Sequence, residues 1–172
     1  MTKTGGHVDT VRIRPARSEE HAAVGELTVA SYLADGIEPG EYAKELRDAP
    51  GRAESGLLLV AEDVHTGELT GTASLFTWEA PPRWSEGASE GEAALRMLAV
   101  APHARRRGIG RALTLECIRR ASEVGCHRLR LLSADSMTAA HALYEQLGFV
   151  RVPAQDRSPG PGVRLFAYEL AL

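Results

Sequence analysis

At 172 residues, 44% of them hydrophobic, the chain is long enough to bury about 70% of its unfolded surface in one globular domain. A formal net charge of −3 excludes a general nucleic-acid binder, which would carry a strongly basic face. No window approaches the roughly 18 apolar residues of a membrane span, and the first ten residues hold no signal-peptide core. The expectation is therefore a cytoplasmic protein with neither nucleic acid nor membrane as partner. The two cysteines, Cys117 and Cys126, fall within or just after a helical pattern, which gives no disulfide framework and no thiolate metal site.

After a tail assigned to residues 1–9, "TVRIRPA" alternates Val11 and Ile13 with arginines and stops at Pro15, the pattern of a half-buried strand. Ser18 offers an N-cap, Glu19 and Glu20 suit a first helical turn, and Val24, Leu27, Thr28 and Tyr32 recur at helical spacing up to Asp35-Gly36. "PGEYAKELRDAPG" predicts one short helix closed by Pro50-Gly51. "GLLLVAEDV" and "ELTGTASLFTW" predict a hairpin turning at His65-Thr66-Gly67, and "EAPPRWSEGASEG" a long loop flanked by Trp78 and Trp84. The tryptophans are expected to pack structurally, with an acceptor-side lip as the other reading.

"EAALRMLAV" predicts a strand over residues 92–100, and Ala112, Leu113, Cys117, Ala121 and Val124 trace a helix from Ile109 to Gly125. "RLRLLS" is a strand. "DSMTAAHALYEQLG" is a helix with an Asp or Ser cap, an apolar face of Ala140, Leu143, Tyr144 and Leu147, and His141 on its exposed side. "FVRV" and "VRLFAYELAL" are strands flanking a Pro/Gly-rich loop. The order β-α-α-β-β-β-α-β-α-β-β gives an α/β class, a mixed sheet covered by helices, with a single domain over residues 1–172.

"LAVAPHARRRGIGRALTLE", residues 98–116, carries the chemistry. A strand runs through a turn into a helix whose first N–H groups and dipole form an anion site. Gly108 and Gly110 lack a Cβ and let a phosphate approach the backbone, while Arg105, Arg106, Arg107 and Arg111 add charge that does not titrate near neutrality. These parts suit a pyrophosphate. The dinucleotide fingerprint fails because Leu113 stands at its third glycine position, and the P-loop fails for want of a Gly-Lys-Ser/Thr.

Leu95 to Val100, Pro102, then Arg105-x-x-Gly108-x-Gly110 with an amphipathic helix behind it resembles the acetyl-CoA-binding motif of the Gcn5-related N-acetyltransferases, the GNAT superfamily. Some 35 residues on, "AAHALYEQLGF" resembles that family's second signature, Ala-x-x-Leu-Tyr-x-x-x-Gly-Phe. The resemblance implies the GNAT acyl-CoA N-acyltransferase fold, a mostly antiparallel central sheet of about seven strands with helices on both faces. It implies that Leu98, Ala99 and Val100 hold the pantetheine arm as an added strand, with the Leu98 N–H at the thioester carbonyl. It implies that Arg105, Arg106, Arg107, Gly108, Ile109, Gly110 and Arg111 wrap the pyrophosphate. Tyr144 matches the tyrosine that protonates the departing thiolate, a role open to a phenol with an ordinary pKa of about 10; its other reading is a core tyrosine.

Several relatives carry a glutamate base near the start of this strand, where the alignment puts Ala94 in this chain. Glu92, two residues earlier on the same face, is the expected substitute, against the reading of a strand-end acid. Met137 stands where many relatives carry an asparagine. Tyr32, Asp35 and Glu38 fall where the family often builds its acceptor wall, with solvated loop charges as the other reading. The implied activity is acetyl transfer from acetyl-CoA, as co-substrate, to a small-molecule or peptide amine in a ternary complex, without metal, by a monomer or homodimer. The alternatives are transfer of a longer acyl group and a non-catalytic CoA-binding regulatory or interaction module.

Overall fold

The computed structural model describes residues 10–172; the tail assigned to residues 1–9 lies outside them. The described chain divides into two compact units, one running to Ser74 and including Met97–Cys117, the other comprising Leu75–Arg96 and Ile118–Leu172.

In the first unit, β1 (Val11–Pro15) pairs antiparallel with β2 (Leu57–Asp63), Val11 opposite Asp63 and Pro15 opposite Leu59. Proline ends the strand, where a missing ladder donor costs least. A 3-10 turn over Ser18–Glu20 leads into α1 (His21–Ala34). Ser18 does not cap it. The Glu20 carboxylate instead accepts from the Arg17 N–H at 2.8 Å and from the Arg14 guanidinium at 2.6 Å, and Arg14 also reaches Glu62 at 2.9 Å. The Arg14 hydrogen bond holds the Glu20 carboxyl at about 2, below its ordinary 4.5.

The single helix expected over residues 39–51 is two, α2 (Ala43–Arg47) and α3 (Ala49–Ser55). Asp48 breaks them and caps the second, accepting from the Gly51 N–H at 2.9 Å. Pro50 therefore opens a helix rather than closing one, because its missing N–H falls among the first-turn groups that have no intrahelical partner. Val24, Ala49, Leu58 and Val60 form the local core.

The hairpin is present: Asp63 Oδ1 accepts the His65 and Thr66 N–H groups at 2.9 and 3.2 Å, and the chain returns as β3 (Leu69–Thr77). The buried Thr70 and Thr72 hydroxyls donate to the Ala61 and Leu59 carbonyls at 3.1 and 2.7 Å, so threonine satisfies itself inside the sheet without a side-chain partner.

In the second unit, the expected loop holds a short helix, α4 (Pro82–Ser85), whose Trp84 is buried and stacked on Phe76 with centroids 5.3 Å apart. The strand β4 (Glu92–Val100) passes through both units, as does α5 (Ile109–Glu123), which buries Ile109, Leu113, Cys117 and Ala121 at a spacing of four, one face of a helix. Then follow β5 (Arg128–Ala134), α6 (Thr138–Gln146), β6 (Val150–Arg151), β7 (Arg157–Gly160) and β8 (Val163–Ala171).

Strand order is β1-β2-β3-β4-β5-β8-β6 with β7 on β8, an eight-stranded mixed sheet. β4 runs parallel to β5, and β8 is antiparallel to β5, β6 and β7. The eighth strand, β7, lies in the segment read as a loop. Two further expectations fail at α6. Met137 is its N-cap and makes no side-chain cap bond. His141 is buried, its Nε2 3.0 Å from the Ala134 carbonyl and its ring 5.5 Å from that of Phe166, because a hydrogen-bonded imidazole can occupy a position that an unpaired one could not.

Candidate functional site

Pairing of β4 with β5 runs from Glu92–Arg128 to Ala94–Arg130, whereas β4 continues to Val100 and β5 to Ala134. Three residues beyond the last pair, Met97 has φ +53°. A non-glycine residue in the left-handed region inside a strand is a local irregularity that persists only when its surroundings enforce it, and such positions cluster at functional sites. Leu98, the residue assigned to the thioester carbonyl, follows directly. It and Val100 are half-buried while Ala99 is buried. The strand is then tied down by the Ala101 N–H donating to the Thr70 carbonyl at 2.9 Å.

A 3-10 turn over Pro102–Ala104 leads into the arginine segment. Arg106 and Gly108 have φ +63° and +77°, and α5 starts at Ile109. A Cβ built on Gly108 would meet nothing within 4 Å: the approach to the backbone is open there. The first N–H groups of α5, at Ile109, Gly110 and Arg111, are those that no helix can satisfy internally.

Gly71 of β3 seats this helix start, since a Cβ there would lie 2.9 Å from Ile109 Cγ2, 3.0 Å from Leu113 Cδ1 and 3.1 Å from the Ala99 carbonyl.

The four arginines divide into two kinds. The Arg105 guanidinium pairs with Asp35 and donates to the Ser31 carbonyl at 3.0 Å. Arg107 pairs with Asp63 at 3.4 Å. The His65 and Thr66 N–H groups, together with Arg107, outweigh burial and hold the Asp63 carboxyl below its usual range. Arg106 and Arg111 are exposed.

Two of the four thus brace the loop, and Asp35, which the family resemblance puts on an acceptor wall, is engaged with Arg105. Tyr32 packs its ring against Tyr42, and Glu38 is exposed.

Glu92 is buried and enclosed by cations. One carboxylate oxygen takes Arg128 at 2.8 Å, the other Arg130 at 3.3 Å and the Ser89 N–H at 2.9 Å. Burial opposes its ionisation, but these donors outweigh it and hold the carboxyl below the usual range. Arg128 and Arg130 also face Glu169 at 3.6 and 3.8 Å. Glu92 is thereby a bridge from β4 to β5, and the arrangement weakens it as a proton acceptor.

Tyr144 is buried on α6 with its ring 5.6 Å from Phe149 and 5.9 Å from Tyr168. Also within the second unit is a small pocket whose lining includes Ser85, Glu86, Ala94, Arg130, Gln155 and Arg157. Neither Met97 nor Arg157 was singled out from sequence. A methionine inside a strand carries no signal of positive φ, and Arg157 reads as one more loop charge. Among the described residues, no group of three His, Cys, Asp or Glu side chains is placed to hold a metal, and no helix is long and apolar enough to cross a membrane.

The profile of the Acetyltransferase (GNAT) family matches residues 20–149. The chain belongs to the GNAT acetyltransferase family. A mycothiol acetyltransferase from Thermobispora bispora is 31% identical over 145 residues, a match covering 82% of this chain and 47% of that protein; the chain spans about half the length of this curated relative. Among solved structures, a GNAT-family acetyltransferase from Staphylococcus aureus Mu50 aligns with TM-score 0.73 at 18% identity, covering 93% of this chain and 99% of that one.

A GNAT acetyltransferase from Brucella melitensis in complex with acetyl-CoA aligns with TM-score 0.65 at 21% identity, over 94% of this chain and 88% of that one. The ribosomal-protein-S18-alanine N-acetyltransferase from Escherichia coli aligns with TM-score 0.66 at 24% identity, over 94% and 92%. These likenesses show the GNAT fold. The family match runs through residues of both compact units.

Proposed function

We propose that this chain is an N-acetyltransferase that moves an acetyl group from acetyl-CoA to a primary amine by direct attack in a ternary complex, acting in the cytoplasm as one GNAT domain. The observation that carries the reading is Met97: β4 leaves its register with β5 after Ala94 and takes a left-handed residue just before the segment that the GNAT motif assigns to the thioester. The open backbone at Gly108 supports a phosphate-bearing ligand in the same segment. The acetyl-CoA complex of the Brucella relative and the acetyltransferase from Thermobispora point the same way.

Acetyl-CoA supplies an acetyl group activated as a thioester. The chain's own residues bind and polarise it. Leu98, Ala99 and Val100 offer backbone groups to the pantetheine arm, and the Leu98 N–H donates to the carbonyl oxygen as negative charge develops there, a contribution of about 3 kcal/mol for comparable donors. The N–H groups from Gly108 to Arg111 face the pyrophosphate; Arg106 and Arg111 add screening charge, and Arg105 and Arg107 keep the loop in shape. Tyr144 donates its phenolic proton to the departing thiolate.

Glu92 serves as the β4–β5 ion bridge, so the amine loses its proton to solvent or to a group other than Glu92. The reading is tested by thiol release from acetyl-CoA across a panel of primary amines. Release with at least one amine, falling about 100-fold in Tyr144→Phe, is expected; acetyl-CoA binding with no release from any amine supports the non-catalytic module instead.

A further inference from the structure

The arginines of the loop before α5 alternate. Arg105 and Arg107 are half-buried and paired with carboxylates, while Arg106 between them is exposed and left-handed at φ +63°. The Arg105 guanidinium is committed to α1. Its Nη1 donates to Asp35 Oδ1, and its Nη2 lies 3.2 Å from Asp35 Oδ2, 3.0 Å from the Ser31 carbonyl and 3.1 Å from the Ser31 hydroxyl. That carbonyl belongs to the last turn of α1, where a cation is favoured by the helix dipole.

Arg107 is held by a different element. Asp63 Oδ2 takes its Nη2 at 3.4 Å, while Asp63 Oδ1 closes the turn between β2 and β3 through the His65 and Thr66 N–H groups. A left-handed arginine is strained and persists only where flanking contacts enforce it. Here the flanking contacts are the two ion pairs, one on each side of Arg106. A guanidinium already matched by a carboxylate in two-point contact adds little attraction for a second anion.

We infer that Asp35 is a positioning residue for the acetyl-CoA loop: through Arg105 it fixes the backbone from Arg106 to Gly108 that receives the pyrophosphate. The inference rests on the acetyltransferase reading and moves Asp35 from the acceptor side of the reaction to the donor side.

Isothermal titration of the full chain with acetyl-CoA at two salt concentrations tests it, on wild type, Asp35→Ala, Arg105→Ala and the double variant. Each single variant should weaken binding about tenfold, and the double variant no more than either alone. Arg105→Ala should keep the salt dependence of wild type, because the charge it removes was already matched by Asp35. Arg105→Lys, which keeps the ion pair without the fork, should fall between wild type and Arg105→Ala. In turnover, Asp35→Ala should raise KM for acetyl-CoA and leave KM for the amine and kcat within about twofold.

Losses that multiply in the double variant, or a flatter salt dependence in Arg105→Ala, mean that Arg105 contacts the phosphates directly. Wild-type affinity for acetyl-CoA in Asp35→Ala, with or without a raised KM for the amine, means that Asp35 does not act on the donor site. Each of these overturns the inference and leaves the acetyltransferase reading intact, whereas a wild-type chain that binds no acetyl-CoA overturns both. Should Asp35→Ala fail to fold, Asp35→Asn takes its place in the cycle.

Discussion

Individual side chains in this GNAT protein carry roles that their identity alone does not announce. Glu92 is the sharpest case. By position it is the acid nearest the expected base, yet two arginines and a backbone N–H enclose it. Glu92→Gln should therefore lower thermal stability, since Arg128 and Arg130 lose the nearer of their two shared carboxylates, while turnover per folded molecule stays within about twofold of wild type; a base would lose about 100-fold. Thermal melts and thiol-release kinetics on the same preparations separate the two.

Charge and backbone space differ in weight at the proposed pyrophosphate segment. Arg106→Ala and Arg111→Ala each remove an exposed charge and should weaken acetyl-CoA binding only a few-fold. Gly108→Val places a β-branched side chain at φ +77° in the open space beside the proposed pyrophosphate site, and calorimetry should find a loss of at least about tenfold.

Between elements, the decisive contact is β3 against the start of α5. Gly71→Ala would push a methyl into Ile109, Leu113 and the Ala99 carbonyl, a case of overpacking that costs about 1–3 kcal/mol. Denaturant unfolding should show that loss, and acetyl-CoA affinity should fall with it because the displaced helix start is the proposed phosphate site.

Legibility in the sequence also differs most from one element to the next. The strand, Arg-Gly turn and helix of residues 92–123 were legible because apolar spacing and glycines mark them directly. The break at Asp48 was not, because a proline followed by glycine reads as a stop until the carboxylate two residues earlier is seen to cap a new helix. The buried His141 was invisible for a related reason: its partner, the Ala134 carbonyl, is a backbone atom that no side-chain pattern encodes. The brace of Arg105 on Asp35 joins residues 70 apart in sequence, which local spacing cannot report.

For the molecule as a whole, carboxylates held by arginines set the response to acid. Glu20 and Asp156 each have a folded-state pKa of about 2 against ordinary values of 4.5 and 3.8. A carboxylate whose pKa is depressed by folding stabilises the native state at pH values above its unfolded pKa, and that stability is lost as the pH falls through the folded value. The melting temperature should therefore plateau above about pH 5 and fall between about pH 4.5 and 2, and Glu20→Gln or Asp156→Asn should flatten the fall, as differential scanning calorimetry would record. Glu20 ties the turn before α1 to Arg14 of β1, and Asp156 ties the start of β7 to Arg151 and to the Ala167 N–H of β8, so acid is expected to loosen the frame around the site rather than the site's own backbone donors.

That frame exists, on this account, to present Leu98 and the start of α5 to one elongated ligand. Isothermal titration of the full chain with acetyl-CoA tests this most directly. Saturable binding at one site per chain is expected, weakened at least about tenfold by Gly108→Val and little changed by Arg106→Ala. Absence of binding, or equal binding by wild type and Gly108→Val, would contradict it.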